Sequence, residues 1–117
     1  MRYTYIQKDY DVHIITKKRI IEAKEKYPSC ASALDGWYKV IEKNIFSHFA
    51  DLKKTFNSVD KVGHLYVFDV GGNKLRIITS IHFNRQKLYI RHILTHKEYD
   101  EDQWRSMNER RINQQYH

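Results

Sequence analysis

From residue 64 onward apolar residues recur at every second position, and no other feature limits the fold of this chain as strongly. His64 to Val70, Lys74 to His82 and Lys87 to Leu94 read as three strands, joined by Gly71-Gly72-Asn73 and by Asn84-Arg85. Both joints carry residues that tight turns demand. With Gly72-Asn73 as a two-residue turn, opposed positions sum to 145, which sets Asp69 against Arg76 and Val70 against Leu75. Centring the turn on Gly71-Gly72 would exchange the faces. With Asn84-Arg85 as the second turn the sum is 169, pairing Ile81 with Leu88 and Ile78 with Arg91. One face then carries Phe68, Val70, Leu75, Ile77, Thr79, Ile81, Leu88, Ile90 and Leu94, with His92 expected as a satisfied core histidine. The other carries Asp69, Arg76, Ile78, Ser80, His82, Lys87, Tyr89, Arg91 and Ile93. Such alternation packs the first face on helices and leaves the second as a display surface.

The helices come from the N-terminal half. Val12-His13-Ile14-Ile15 is a short β-prone run, and Thr16 is a candidate N-cap for a helix through Tyr27, which Pro28 ends. Ser29 is a candidate cap for a second helix, in which Leu34, Trp37, Tyr38, Ile41, Ile45 and Phe49 recur at helical spacing and form a core stripe. Residues 50–63 read as a loop. A last helix from about Glu101 carries Trp104, Met107, Asn108, Ile112 and Tyr116, a stripe narrow enough to dock weakly or onto a partner, with Arg105, Arg110 and Arg111 beside it. The 117 residues have room for one core. The expectation is one α+β domain over 1–117, its N-terminal helices packed on one face of a small antiparallel sheet.

Charge is distributed unevenly. The chain has a formal net charge of +7, and residues 61–97 hold seven cations against one anion, together with four of the seven histidines. Excess charge gathered on one surface fits a polyanion with closely spaced phosphates. The single cysteine, Cys30, excludes an intramolecular disulfide and a cysteine-based zinc cluster. No apolar run approaches the roughly 18 residues of a membrane span, so a cytoplasmic protein, neither exported nor embedded, is expected. No metal is expected either, because no His-x-x-x-His or paired carboxylate–histidine spacing is read on one element and the surface where the histidines gather is too positive for a hard cation. Gly71-Gly72 closes a hairpin and opens no helix, so it is not a phosphate loop.

Cleaving RNA without a metal requires a group to take the 2′-hydroxyl proton, fixed cations around the crowded phosphorus and an acid for the departing 5′-oxygen. Arg76 and Arg91 are candidate phosphate clamps through bidentate geometry. His96 is the candidate proton carrier, while Tyr99 and Tyr89 can stack on bases or donate a hydroxyl proton. Lys61 and Lys97 can neutralise flanking phosphates, and Lys74 and Lys87 add to the same charge. Arg76 facing Asp69 also reads as a plain surface ion pair, worth under about 1 kcal/mol.

Two separated stretches in this order carry a resemblance. Tyr66-Val67-Phe68-Asp69-Val70-Gly71-Gly72-Asn73-Lys74-Leu75-Arg76-Ile77-Ile78, and then Leu88-Tyr89-Ile90-Arg91-His92-Ile93-Leu94-Thr95-His96-Lys97-Glu98-Tyr99-Asp100, are similar to the HigB toxin family of the RelE/ParE superfamily. The segment from His13 to Lys18, with Ala23 to Pro28, resembles that family's start. The resemblance implies an mRNA interferase of a toxin–antitoxin pair, acting on mRNA at the ribosome without cofactor or metal, leaving a 2′,3′-cyclic phosphate, and restrained by a HigA-like helix-turn-helix antitoxin. It places the motif arginine on Arg76, the Thr-His-x-x-Tyr-Asp motif on His96, Tyr99 and Asp100, and Arg91 in the Tyr-Ile-Arg position. Asp69 and Asp100 are then orienting carboxylates, although many family members carry Asn where Asp69 stands. Because the family begins near Val12, residues 1–11 are an added segment or a misassigned start. Two other readings remain open: a ParE-like inhibitor of a protein target such as gyrase, and an RNA-binding module without activity.

Overall fold

The three alternating segments form a meander of β3 (Leu65–Val70), β4 (Leu75–His82) and β5 (Lys87–Thr95). The structure is a computed structural model that describes residues 12–101 and Trp104; the remainder of the expected last helix and the segment 1–11 lie outside the described residues. Gly72 and Asn73 have φ of +61° and +74°, and the Lys74 N–H donates to Gly71 O at 3.3 Å, as a primed two-residue turn requires. Asp69 accordingly lies opposite Arg76 and Val70 opposite Leu75. The second connection is a 3₁₀ turn over Phe83–Arg85 closed by Gln86 at φ +53°, and it sets Ile81 opposite Leu88.

Beyond that turn the register departs from simple alternation. Thr79 faces Ile90 but Ile78 faces His92, so Arg91 is an extra residue on β5, a bulge that reverses the facing of everything after it. Ile93, expected on the display face, packs against the main core. Leu94 moves to the opposite face, and His92 is half-buried there rather than a core histidine. A bulge leaves no apolar signature in the sequence, which is why counting from the turn mispairs Ile78 with Arg91.

Two further strands complete a mixed sheet of order β1-β5-β4-β3-β2. β1 (His13–Ile14) runs parallel to β5, and β2 (Asp60–Val62) pairs antiparallel with β3. The segment read as a loop thus contains β2 and also α3 (Phe49–Thr55), because Leu52 and Val59 are fully buried and anchor it. α1 (Lys17–Lys26) and α2 (Ala31–Glu42) precede it. Thr16 stands at the start of α1, but its hydroxyl accepts from the Ile90 N–H at 2.6 Å and so ties the helix to β5 instead of capping it. Pro28 opens a 3₁₀ turn that ends at Cys30, which takes the capping position expected of Ser29. α2 stops at Glu42, leaving Ile45 47% exposed and Phe49 to begin α3.

Leu34, Trp37, Ile41, Phe46, Leu52 and Val59 pack on Phe68, Leu75, Ile77, Leu88 and Ile90, with Trp37 meeting Phe68 edge-on at 5.3 Å. Each such side chain contributes about 1.5–3 kcal/mol by leaving water. A second, smaller cluster of Leu65, Val67, Ile78 and Trp104 lies on the other face, so that face is not wholly open. Cys30, free and buried, sits under the first turn: a Cβ on Gly71, whose φ is +71°, would come within 3.2 Å of its Sγ. Gly72 at φ +61° meets only open space. Gly71→Ala is therefore expected to destabilise by about 1–2 kcal/mol from the left-handed backbone plus the sulfur contact, and more than Gly72→Ala. Thermal unfolding of the two variants checks this, and equal melting temperatures would discard the sulfur contact.

Candidate active site

The residues that carry chemistry gather where the ends of β3, β4 and β5 meet a short helix, α4 (His96–Asp100). Thr95 starts it with a capping box. Its hydroxyl accepts from the Glu98 N–H at 3.2 Å, and the Glu98 carboxylate accepts from the Thr95 N–H at 2.9 Å. That backbone hydrogen bond, helped by the Thr95 hydroxyl and by Lys26, holds the Glu98 carboxyl below its ordinary value against a smaller opposing effect of desolvation. The His96 N–H donates to Lys74 O at 3.2 Å and fastens the helix to the first turn. In this position α4 presents His96, Tyr99 and Asp100 to the strand residues Asp69 and Arg76.

Arg76 is the centre of the constellation. Only 8% of it is exposed. Its Nε lies 2.8 Å from Asp69 Oδ1, its Nη1 donates to Asn73 O at 3.2 Å and to Leu75 O at 3.5 Å, and its Nη2 lies 2.9 Å from His96 Nδ1. Four of the five N–H groups of a guanidinium are engaged, which leaves one on Nη2. The pair with Asp69 is thus part of a buried network rather than an exposed ion pair. The guanidinium carbon also lies over the Tyr99 ring, 5.5 Å from its centre.

This contact determines the tautomer of His96. A guanidinium has donors and no acceptor, so Nδ1 receives and the imidazole proton resides on Nε2. Nε2 lies 3.1 Å from Asp100 Oδ2, and both side chains are more than half exposed. Three links result: carboxylate to guanidinium, guanidinium to imidazole, imidazole to carboxylate. The buried end orients and the exposed end faces solvent. α4 also sets His96 and Asp100 one turn apart, a histidine–carboxylate pair not foreseen on one element. Among the described residues, however, no group of three or more His, Cys, Asp or Glu can hold a metal ion.

Other expected residues fall elsewhere. Arg91, lifted by the bulge, donates from Nε to Ser80 Oγ at 3.3 Å, and Tyr89 meets His82 edge-on at 5.5 Å. With Lys87 opposite His82, these form a second polar cluster on the same face, separated from Arg76 by the apolar patch of Leu65, Val67 and Ile78. Arg76 and Arg91 thus share a face but are held by different partners, Asp69 and His96 for the one and Ser80 for the other. Lys74 and Lys97 are exposed at the rim of the Arg76 site. Lys61 is not brought to this face: it lies opposite Tyr66, which packs in the main core, and β2 is the far edge of the sheet. Trp104, read from its spacing as part of a C-terminal stripe, lies beside the site, a placement the stripe alone does not assign. It is 4% exposed and stacked on Tyr99, on its own sheet rather than on a partner.

The family described as HigB toxin, the RelE-like toxic component of a toxin–antitoxin system, matches residues 30–102. The chain belongs to the HigB toxin family. It is similar to the mRNA interferase toxin HigB of Escherichia coli K12, with 44% identity over 92 residues that span 76% of this chain and 88% of the relative. The mRNA interferase HigB of Shigella flexneri has the same identity and coverage, and that of Escherichia coli O6:H1 is 39% identical over 76% of this chain and 89% of its own. The stretch matched to the HigB family contains Asp69, Arg76, Arg91, His96, Tyr99 and Asp100, and ends two residues before Trp104.

Proposed function

We propose that this HigB-family chain is an mRNA interferase, a metal-independent endoribonuclease that inhibits translation by cutting mRNA on the ribosome, in the cytoplasm, until a HigA-like antitoxin binds it. The observation that carries the reading is the Arg76 to His96 contact at 2.9 Å, which turns Nε2 outward on a cationic face. In this reaction the 2′-oxygen bonds to phosphorus while the bond to the 5′-oxygen breaks. One proton leaves the 2′-hydroxyl and one reaches the 5′-oxygen. Arg76 stabilises the charge that builds on the phosphoryl oxygens, and His96 handles a proton at Nε2. Tyr99 offers its hydroxyl, and Asp69 and Asp100 orient Arg76 and His96. Arg91 and Tyr89, with Lys87, Lys74 and Lys97, serve the flanking nucleotides. Among the described residues no helix is long and apolar enough to cross a membrane.

Primer extension on mRNA after induction tests the reading. New cuts ending in a 2′,3′-cyclic phosphate are expected with the wild type and are expected to disappear with Arg76→Ala and His96→Ala. No new cuts with the wild type reject the nuclease. Undiminished cutting by both variants rejects this site.

A further inference from the structure

We infer that Trp104 is a positioning residue of this active site, pinning the C-terminal end of α4 so that Tyr99 stays over Arg76. The inference rests on the endoribonuclease reading and concerns a residue outside the segment that matches the family. A helix of five residues cannot hold itself together, because the cost of the first turn is recovered only over many more residues. α4 nevertheless carries His96, Tyr99 and Asp100, so its placement has to come from its surroundings. At its start the capping box and the His96 N–H to Lys74 O bond supply this. At its end Trp104 does, by two contacts with the same residue. Its Nε1–H donates to Tyr99 O at 3.2 Å, and its ring stacks on the Tyr99 ring at 5.3 Å and 17°. The indole is in turn seated on Leu65, Val67 and Ile78, side chains of β3 and of β4, the strand that carries Arg76. The sheet therefore fixes Trp104, Trp104 fixes Tyr99, and Tyr99 flanks the guanidinium.

Two properties of Trp104 can be separated. Leucine at this position fills part of the apolar seat but offers neither a ring nor a donor. Phenylalanine keeps the ring and loses the N–H. The test uses the full-length purified toxin with ribosomes and an mRNA containing a mapped cut, measuring kcat and KM, with circular dichroism melting to establish that each variant is folded at the assay temperature. Trp104→Leu is expected to lower kcat about tenfold or more, in line with the cost of small misplacements of catalytic groups, with KM little changed. Trp104→Phe is expected to stay within about fivefold of the wild type, the worth of one neutral hydrogen bond. If the leucine variant does not fold, Trp104→Met takes its place. The NMR resonance of the Arg76 Nε–H is a second readout, expected to shift in the unstacked variants because the Tyr99 ring moves. A folded Trp104→Leu or Trp104→Met with wild-type kcat and an unmoved Arg76 resonance overturns the inference and leaves the nuclease standing. Absence of cleavage by the wild type overturns both.

Discussion

Replacing Arg76 with alanine is expected to lower the cleavage rate by a factor of about 100 or more, the usual consequence of removing one preorganised group that stabilises transition-state charge. The expectation follows from how the side chain is held. Asp69 and the carbonyls of Asn73 and Leu75 fix three of its donors and His96 a fourth, so the charge is in place before any substrate arrives. Arg76→Lys is expected to recover little. An ammonium has three donors around a point and cannot serve a carboxylate, two carbonyls and an imidazole lying in different directions. Asp69→Asn is the contrasting variant. Its amide oxygen still accepts from Nε, so cleavage is expected within about fivefold of wild type, the difference between a charged and a neutral acceptor in one hydrogen bond. Initial rates on ribosome-bound mRNA, with melting curves for each variant, measure all three. Full activity in Arg76→Lys would reduce Arg76 to a general source of positive charge.

Much of this arrangement is legible in the sequence, and the parts that are not share a physical cause. The meander, its first turn and the Asp69–Arg76 pairing follow from alternation and from Gly72-Asn73, because a two-residue turn fixes a register. The helical stripe Leu34, Trp37 and Ile41 is likewise local. The bulge at Arg91 depends on how β5 meets β4, and period-two counting across it misplaces His92, Ile93 and Leu94. Arg91 stays on the face that alternation assigns to it with Arg76, but its guanidinium is held by Ser80. Lys61 misleads for a similar reason, since the partner that decides its face, Tyr66, is visible only once β2 is known to pair with β3. Trp104 is the sharpest case. Its spacing with Met107, Ile112 and Tyr116 announces an apolar stripe but not the surface that stripe meets, and Trp104 closes the apolar patch beside the site.

His96 gives the second large effect, and here the choice of substituent distinguishes orientation from proton transfer. Asparagine sets an amide oxygen near the place of Nδ1 and can accept from Arg76 Nη2, but has nothing where Nε2 stood. Glutamine reaches toward Nε2 and leaves Nδ1 unreplaced. If His96 handles a proton, both variants are expected to lose about 100-fold or more in kcat, the lower range of general acid–base contributions. Only the asparagine variant is expected to keep the Arg76 Nε–H resonance at its wild-type position, because only there does Nη2 retain an acceptor. If His96 served solely to hold Arg76, His96→Asn would cleave at nearly the wild-type rate. A dead asparagine variant with an undisturbed Arg76 would locate the loss at Nε2, the exposed nitrogen beside Asp100. The buried half of the chain, from Asp69 to Nδ1, would then be what prepares that atom for the reaction.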